Sequence, residues 1–189
     1  MSPDNSDSSD RFVALLRGIN VGGRNKVPMA EFRAALEELG HTEVQTLLNS
    51  GNAVFSSSSR SPAQLAAGIA GAIQARFGVV TPVIVKSATE FAAIVAHNPI
   101  APPESENSRF LVAFAMDRAR LQELASLQPL LQPGERLAVT EHAAYLHCAG
   151  GLLESKAGEA ILGKGGRGIT TRNWGTTLKL ESLLDCKAA

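Results

Sequence analysis

Aromatic residues are scarce, at 5% of the 189 residues, with a single Trp and a single Tyr. That weighs against a single-stranded nucleic-acid binder, which stacks bases on aromatic side chains. An excess of one charge is also missing, because 18 Lys and Arg offset 18 Asp and Glu. Whole-molecule attraction to nucleic acid or anionic lipid is therefore not expected, and an anion site has to be a local patch. Two cysteines, Cys148 and Cys186, are too few for a disulfide framework and read as reduced thiols. No apolar run approaches the ~20 residues that cross a bilayer, so no membrane partner is expected. The opening MSPDNSDSSD has neither the basic start nor the apolar centre of a signal peptide. Residues 1–10 read as a disordered acidic tail, and the chain as cytoplasmic.

What is present is a regular alternation of short apolar runs and amphipathic stretches. FVALL (12–16) suits a buried strand. Pro28 can open a helix carrying Phe32, Leu36 and Leu39, which Gly40 closes. EVQTLLN (43–49) and NAVFS (52–56), separated by Ser50-Gly51, form a hairpin signal. Ser61-Pro62 starts a second helix with Leu65, Ile69, Ile73 and Phe77 on one face, and VVTPVIV (79–85) is an edge strand because Pro82 cannot donate to a ladder. The order is strand, helix, strand, strand, helix, strand, the ferredoxin-like pattern. A further helix follows from a Ser87/Glu90 capping box and stops near Asn98-Pro99. NPIAPPESENS (98–108) reads as a linker between an N-terminal half, 11–97, and a related α+β half, 109–189. RFLVAFAM (109–116), a helix capped by Asp117, RLAVT (136–140) and AYLHC (144–148) repeat the first half's order. ESKAGEAIL reads as helix, GKGGRGITTR as loop and NWGTTLKLESLLD as a last helix. The expected class is α+β, with two ferredoxin-like halves in tandem, antiparallel or mixed sheets, and helices on one face.

This topology places RGINVGGRNK (17–26) and NSGN (49–52) at the same end of the first sheet. Arg17, Gly18, Asn20, Gly22, Gly23, Arg24, Lys26, Asn49, Ser50 and Asn52 then form one rim, with Asn25 beside them. From residue 11 to 30 there are four cations and no acid. Glycine lets backbone approach a ligand closely, successive N–H groups form anion nests, and arginine supplies paired donors to phosphate or carboxylate. Gly18, Gly22 and Gly23 make GxxxGG rather than the dinucleotide GxGxxG, and in GKGGRG (163–168) Gly165 follows Lys164 where a phosphate loop needs Ser or Thr. The competing account is a tight turn with a solvated cationic edge.

Other candidates are weaker. Cys148 shares a strand face with Leu146 and reads as a core thiol, and no His/Cys spacing resembles a metal site. Ser50 lacks a neighbouring base, and the carboxylates between 104 and 159 form no acid–base pair. In TTRNW (170–174), Thr170 or Thr171 is a candidate N-cap for the last helix. Arg172 would then stand in the first turn, where the helix dipole disfavours a cation. Arg172 and Asn173 therefore join the candidate set.

FVALLRGINVGGRNKVPMAEFRAALEELG, TLLNSGNAVF and TTRNW resemble the bacterial domain-of-unknown-function family 1697, over nearly the whole chain after the tail. The resemblance implies a small α/β protein with ferredoxin-like halves and supplies no activity. The family pattern reads TTRNWNT, and here Gly175 replaces its second Asn. Three functions compete. The first is a binder of an anionic or phosphorylated ligand, a nucleotide or RNA, with no cofactor or metal. The second is an enzyme on a small polar metabolite, with Asn49, Ser50 and Asn52 orienting substrate. The third is a structural or interaction protein whose asparagines only satisfy loop backbone.

Overall fold

The computed structural model describes residues 10–59, 61–163 and 168–185. The acidic tail up to residue 9, the middle of GKGGRG with Lys164, and Cys186 lie outside them. The first half runs β1 (Asp10–Leu16), α1 (Met29–Glu38), β2 (Thr42–Leu47), β3 (Asn52–Ser57), α2 (Pro62–Phe77) and β4 (Val83–Ser87). After α3 (Ala88–Ala96) and a 3₁₀ turn at Glu104–Arg109, the order recurs: β5 (Phe110–Ala115), α4 (Arg118–Glu123), β6 (Arg136–Val139), β7 (Ala144–His147), α5 (Lys156–Leu162) and β8 (Ile169–Asn173). Helix α6 (Trp174–Asp185) follows directly. The two sheets have matching orders, β2-β3-β1-β4 and β6-β7-β5-β8, and all pairings are antiparallel. Both halves are therefore ferredoxin-like, as their element order implies.

The central strands β1 and β5 are buried on both faces, which is why they read as continuous apolar runs rather than alternating ones. Phe12, Ala14 and Leu16 face α1 and α2 through Phe32, Leu36, Leu65, Ile69 and Ile73. Leu111, Ala113 and Ala115 likewise face α4 and α5 through Leu121, Ala157 and Ile161. Each half thus carries its own two helices on one face of its sheet. The opposite faces of both sheets join in one core: Val13, Leu15 and Val54 from the first, and Phe110, Val112, Phe114 and Tyr145 from the second. Phe91 and Ile94 of α3 and Leu180 and Leu184 of α6 complete it. At ~25 cal/mol per Å² of apolar area removed from water, such shared burial is what couples two small sheets.

Three local expectations change. ITTR is not loop, because β8 pairs with β5 in the register Val112↔Arg172. Thr170 and Thr171 are strand residues, so neither caps α6. The cap contact comes instead from Asn173, whose Oδ1 accepts from the Thr176 N–H at 2.8 Å. Arg172 accordingly stands in a strand, not in a helix's first turn. Pro82 lies just before β4 rather than inside it, and its carbonyl accepts from the Arg17 N–H. The capping box at α3 forms with both bonds, Glu90 N–H to Ser87 Oγ and Ser87 N–H to Glu90 Oε2. Among the described residues, no helix is long and apolar enough to cross a membrane.

Candidate functional site

The loop after β1 and the β2–β3 turn meet at the end of the first sheet. The Leu16 N–H donates to the Gly51 carbonyl at 2.8 Å, and Asn20 Nδ2 donates to the Asn49 carbonyl at 2.9 Å. Asn20 fixes the loop from within: its Oδ1 accepts from the Val27 N–H and its Nδ2 also donates to the Val27 carbonyl, both at 2.9 Å. It does so at φ +56°, a left-handed conformation that a short polar side chain tolerates. Asn25 Nδ2 closes the loop onto the Gly18 carbonyl. Gly51 sits at φ +78° with its Cα so close to Leu16 and Ile19 that a Cβ would lie 2.6 Å from Leu16 Cβ. Only glycine fits there.

Between this end of the first half and the β8 side of the second lies a cleft of about 580 Å³. Arg17, Gly18, Ile19, Val21, Arg24, Asn25 and Ser50 line it from one half, and Ile161, Leu162 and Ile169–Arg172 from the other. The predicted rim therefore divides. Arg17, Gly18, Arg24, Ser50 and Arg172 share this cleft, whereas Asn20, Gly23, Lys26 and Asn49 line a separate groove of about 380 Å³ on the other side of the loop. Gly22 lines neither, Asn52 is fully buried below, and Asn173 is committed to its helix cap. The aliphatic wall of Ile161, Leu162 and Ile169 carries no sequence motif of its own; the neighbouring TTRNW pattern is the one signal that reaches it.

Two arginines cross the seam in opposite directions. Arg17, leaving β1, donates to the carbonyls of Ile169, Leu162 (3.1 Å) and Gly163 (2.9 Å). Arg172, on β8, reaches back. Its Nη2 donates to the carbonyls of Leu16 (2.8 Å), Ser50 (3.0 Å) and Gly51 (3.3 Å), and its Nε to Asn52 Oδ1. Its Nη1 donates to Thr170 Oγ1 and the Thr171 carbonyl. Asn52 is itself held by Nδ2 bonds to the Leu47 carbonyl and Ser50 Oγ. Arg172 thus spends all five N–H donors on protein acceptors. It contributes charge to the cleft floor, not free hydrogen bonds. Burial lowers its pKa to about 10, which leaves it cationic at neutral pH, and burial also lowers that of Arg17.

Among the described residues, no Asp or Glu lines the cleft and none pairs with Arg17, Arg24, Lys26 or Arg172. Among the same residues, no His, Cys, Lys or Tyr lines it, so none of those lining side chains is suited to act as base at neutral pH. Ser50 Oγ accepts from Asn52 and has no activating partner. Among the described residues, no cluster of His, Cys, Asp and Glu could hold a metal ion.

A family model described as "Protein of unknown function (DUF1697)" matches residues 10–145. The solved structure of conserved bacterial protein SP0830 from Streptococcus pneumoniae is similar at 27% identity and a TM-score of 0.76, covering 94% of this chain and 99% of that one. No curated protein matches.

Proposed function

The chain belongs to the DUF1697 family, whose description carries no activity, and from the site itself we propose that it binds a small anionic or phosphorylated ligand in the seam cleft. The observation that carries this reading is three arginines lining one cleft with no carboxylate among the described residues of its walls. A buried cation without a counter-charge leaves a positive potential in a low-dielectric recess, where an anion is held far better than in water. Arg24 supplies free guanidinium donors, since it makes no side-chain bond among the described residues. Among the described residues the lining holds hydroxyls but no base to activate one, which favours binding over catalysis on a polar metabolite.

Titration calorimetry with inorganic phosphate, AMP and a short RNA tests the reading, against Arg24→Gln. Arg24 is exposed, so the variant keeps the fold. A charged hydrogen bond contributes ~1.5–3 kcal/mol, so the variant should bind about 10- to 100-fold more weakly. Equal affinity in the variant, or tighter binding of RNA than of every small anion, would refute it.

A further inference from the structure

Resting on that reading, we propose that the natural ligand is an aliphatic anion, with a phosphate or carboxylate head on a hydrocarbon body, rather than a nucleotide. Ile161, Leu162 and Ile169 line the side facing the loop and Leu16 the floor; Leu162 is the exposed one, and the other three are buried behind it. Among the described residues, no aromatic side chain lines the cleft, so a base has no platform to stack on. Nor does any carboxylate among them line it to accept from ribose hydroxyls, the group that dinucleotide sites provide. The lips are apolar on both sides: Val21 is 66% exposed and Leu162 50% exposed. Two large aliphatic side chains facing each other across a cavity are a surface that a hydrocarbon would bury. A volume of about 580 Å³ lies within the range of small-molecule sites, ~300–1,000 Å³. The cleft thus combines cations, Arg17 and Arg24 on the loop and Arg172 on β8, with aliphatic side chains at both lips. The ligand that matches it combines an anionic head with a hydrocarbon body.

The test is a calorimetric series on the full chain, kept below micellar concentrations: inorganic phosphate, butyl, hexyl and octyl phosphate, octanoate, octanol and AMP. Each added methylene should raise affinity about 3- to 4-fold until the cleft is filled. Leu162→Ser and Val21→Ser, both at exposed positions, should weaken octyl phosphate and leave inorganic phosphate unchanged. Octanoate binding on the same chain-length trend would assign the head to either anion, and octyl phosphate alone would assign it to phosphate. An AMP affinity equal to or above that of octyl phosphate, or no dependence on chain length, overturns the aliphatic assignment and leaves the anion site standing. Octanol binding as tightly as octyl phosphate, or no binding by any anion, overturns the anion site itself.

Discussion

Arg172 offers the sharpest test of how the two halves are joined, because opposing contributions of similar size meet on one side chain. Three of its bonds cross to fully buried acceptors in the first half: Asn52 Oδ1 and the carbonyls of Leu16 and Gly51. At ~1.5–3 kcal/mol for a charged donor, these contribute roughly 5–9 kcal/mol. Desolvation opposes them. A pKa lowered to about 10 from 12.5 corresponds to ~3 kcal/mol against holding the charge. The difference is about 2–6 kcal/mol in favour of arginine, a range that spans the ~3–5 kcal/mol seen on breaking a buried charged network. Arg172→Ala should therefore lower the unfolding free energy by about 3–5 kcal/mol, a large share of the ~5–15 kcal/mol of a typical domain. Arg172→Met removes the charge and keeps most of the volume, so it should recover part of that loss and still fall below the native chain. Arg172→Lys keeps the charge but cannot reach acceptors spread around the guanidinium fork, and should be no better than Met. Urea unfolding followed by fluorescence reports on the site directly, because the one tryptophan, Trp174, lies two residues away and packs edge-on to Phe110 at 5.6 Å. A Met variant as stable as the native chain would mean that desolvation outweighs the hydrogen bonds, and the account of the seam would be wrong.

Three other outcomes follow from the same contacts. Gly51→Ala should cost about 2–4 kcal/mol, since it adds strain at φ +78° to a Cβ clash at 2.6 Å. Gly18→Ala should cost only ~1 kcal/mol, because its φ is +63° but nothing lies within 4 Å; equal midpoints in urea for the two would contradict this. In a Cys186→Ser background, Cys148 should resist a thiol reagent at pH 8 until the protein is unfolded, because it is fully buried and desolvation raises its pKa. Rapid native-state labelling would place it outside the core. Gly175→Ala should raise stability by ~0.5 kcal/mol, as a helical glycine whose added Cβ meets only ordinary contacts at 3.7 and 3.8 Å; a lower melting temperature would count against it.

The fold was legible because its signals are local and repeated. The strand–helix–hairpin–helix–strand order, the Ser87/Glu90 box and the two-faced runs FVALL and FLVAFA each state their partner's type within a few residues. The site was half legible. Topology put the β1 loop and the Asn49–Asn52 turn at one end of a sheet, and the Asn20-to-Asn49 bond joins them there. Two things were not legible. Rim residues on opposite sides of one loop look alike in sequence, so Lys26 and Asn49 seemed to share a cleft with Arg17, and they do not. The far wall comes from Ile161, Leu162 and Ile169, and nothing in three aliphatic residues says what they face.

Arg172 shows why the second gap is physical. The rule that a cation is disfavoured in a helix's first turn singles out Arg172 on a premise the structure replaces, because Arg172 stands in a strand. A shift of two or three residues in the boundary between β8 and α6, from a cap at Thr170 or Thr171 to one at Asn173, moves Arg172 from a helix start, where it would be misplaced, to a strand register opposite Val112. There its side chain spans to Leu16, 156 residues away in sequence. Local preference detects that such a residue is out of place. Only the pairing of two sheets decides what it is in place for: here, closing a seam between the β1 loop and β8.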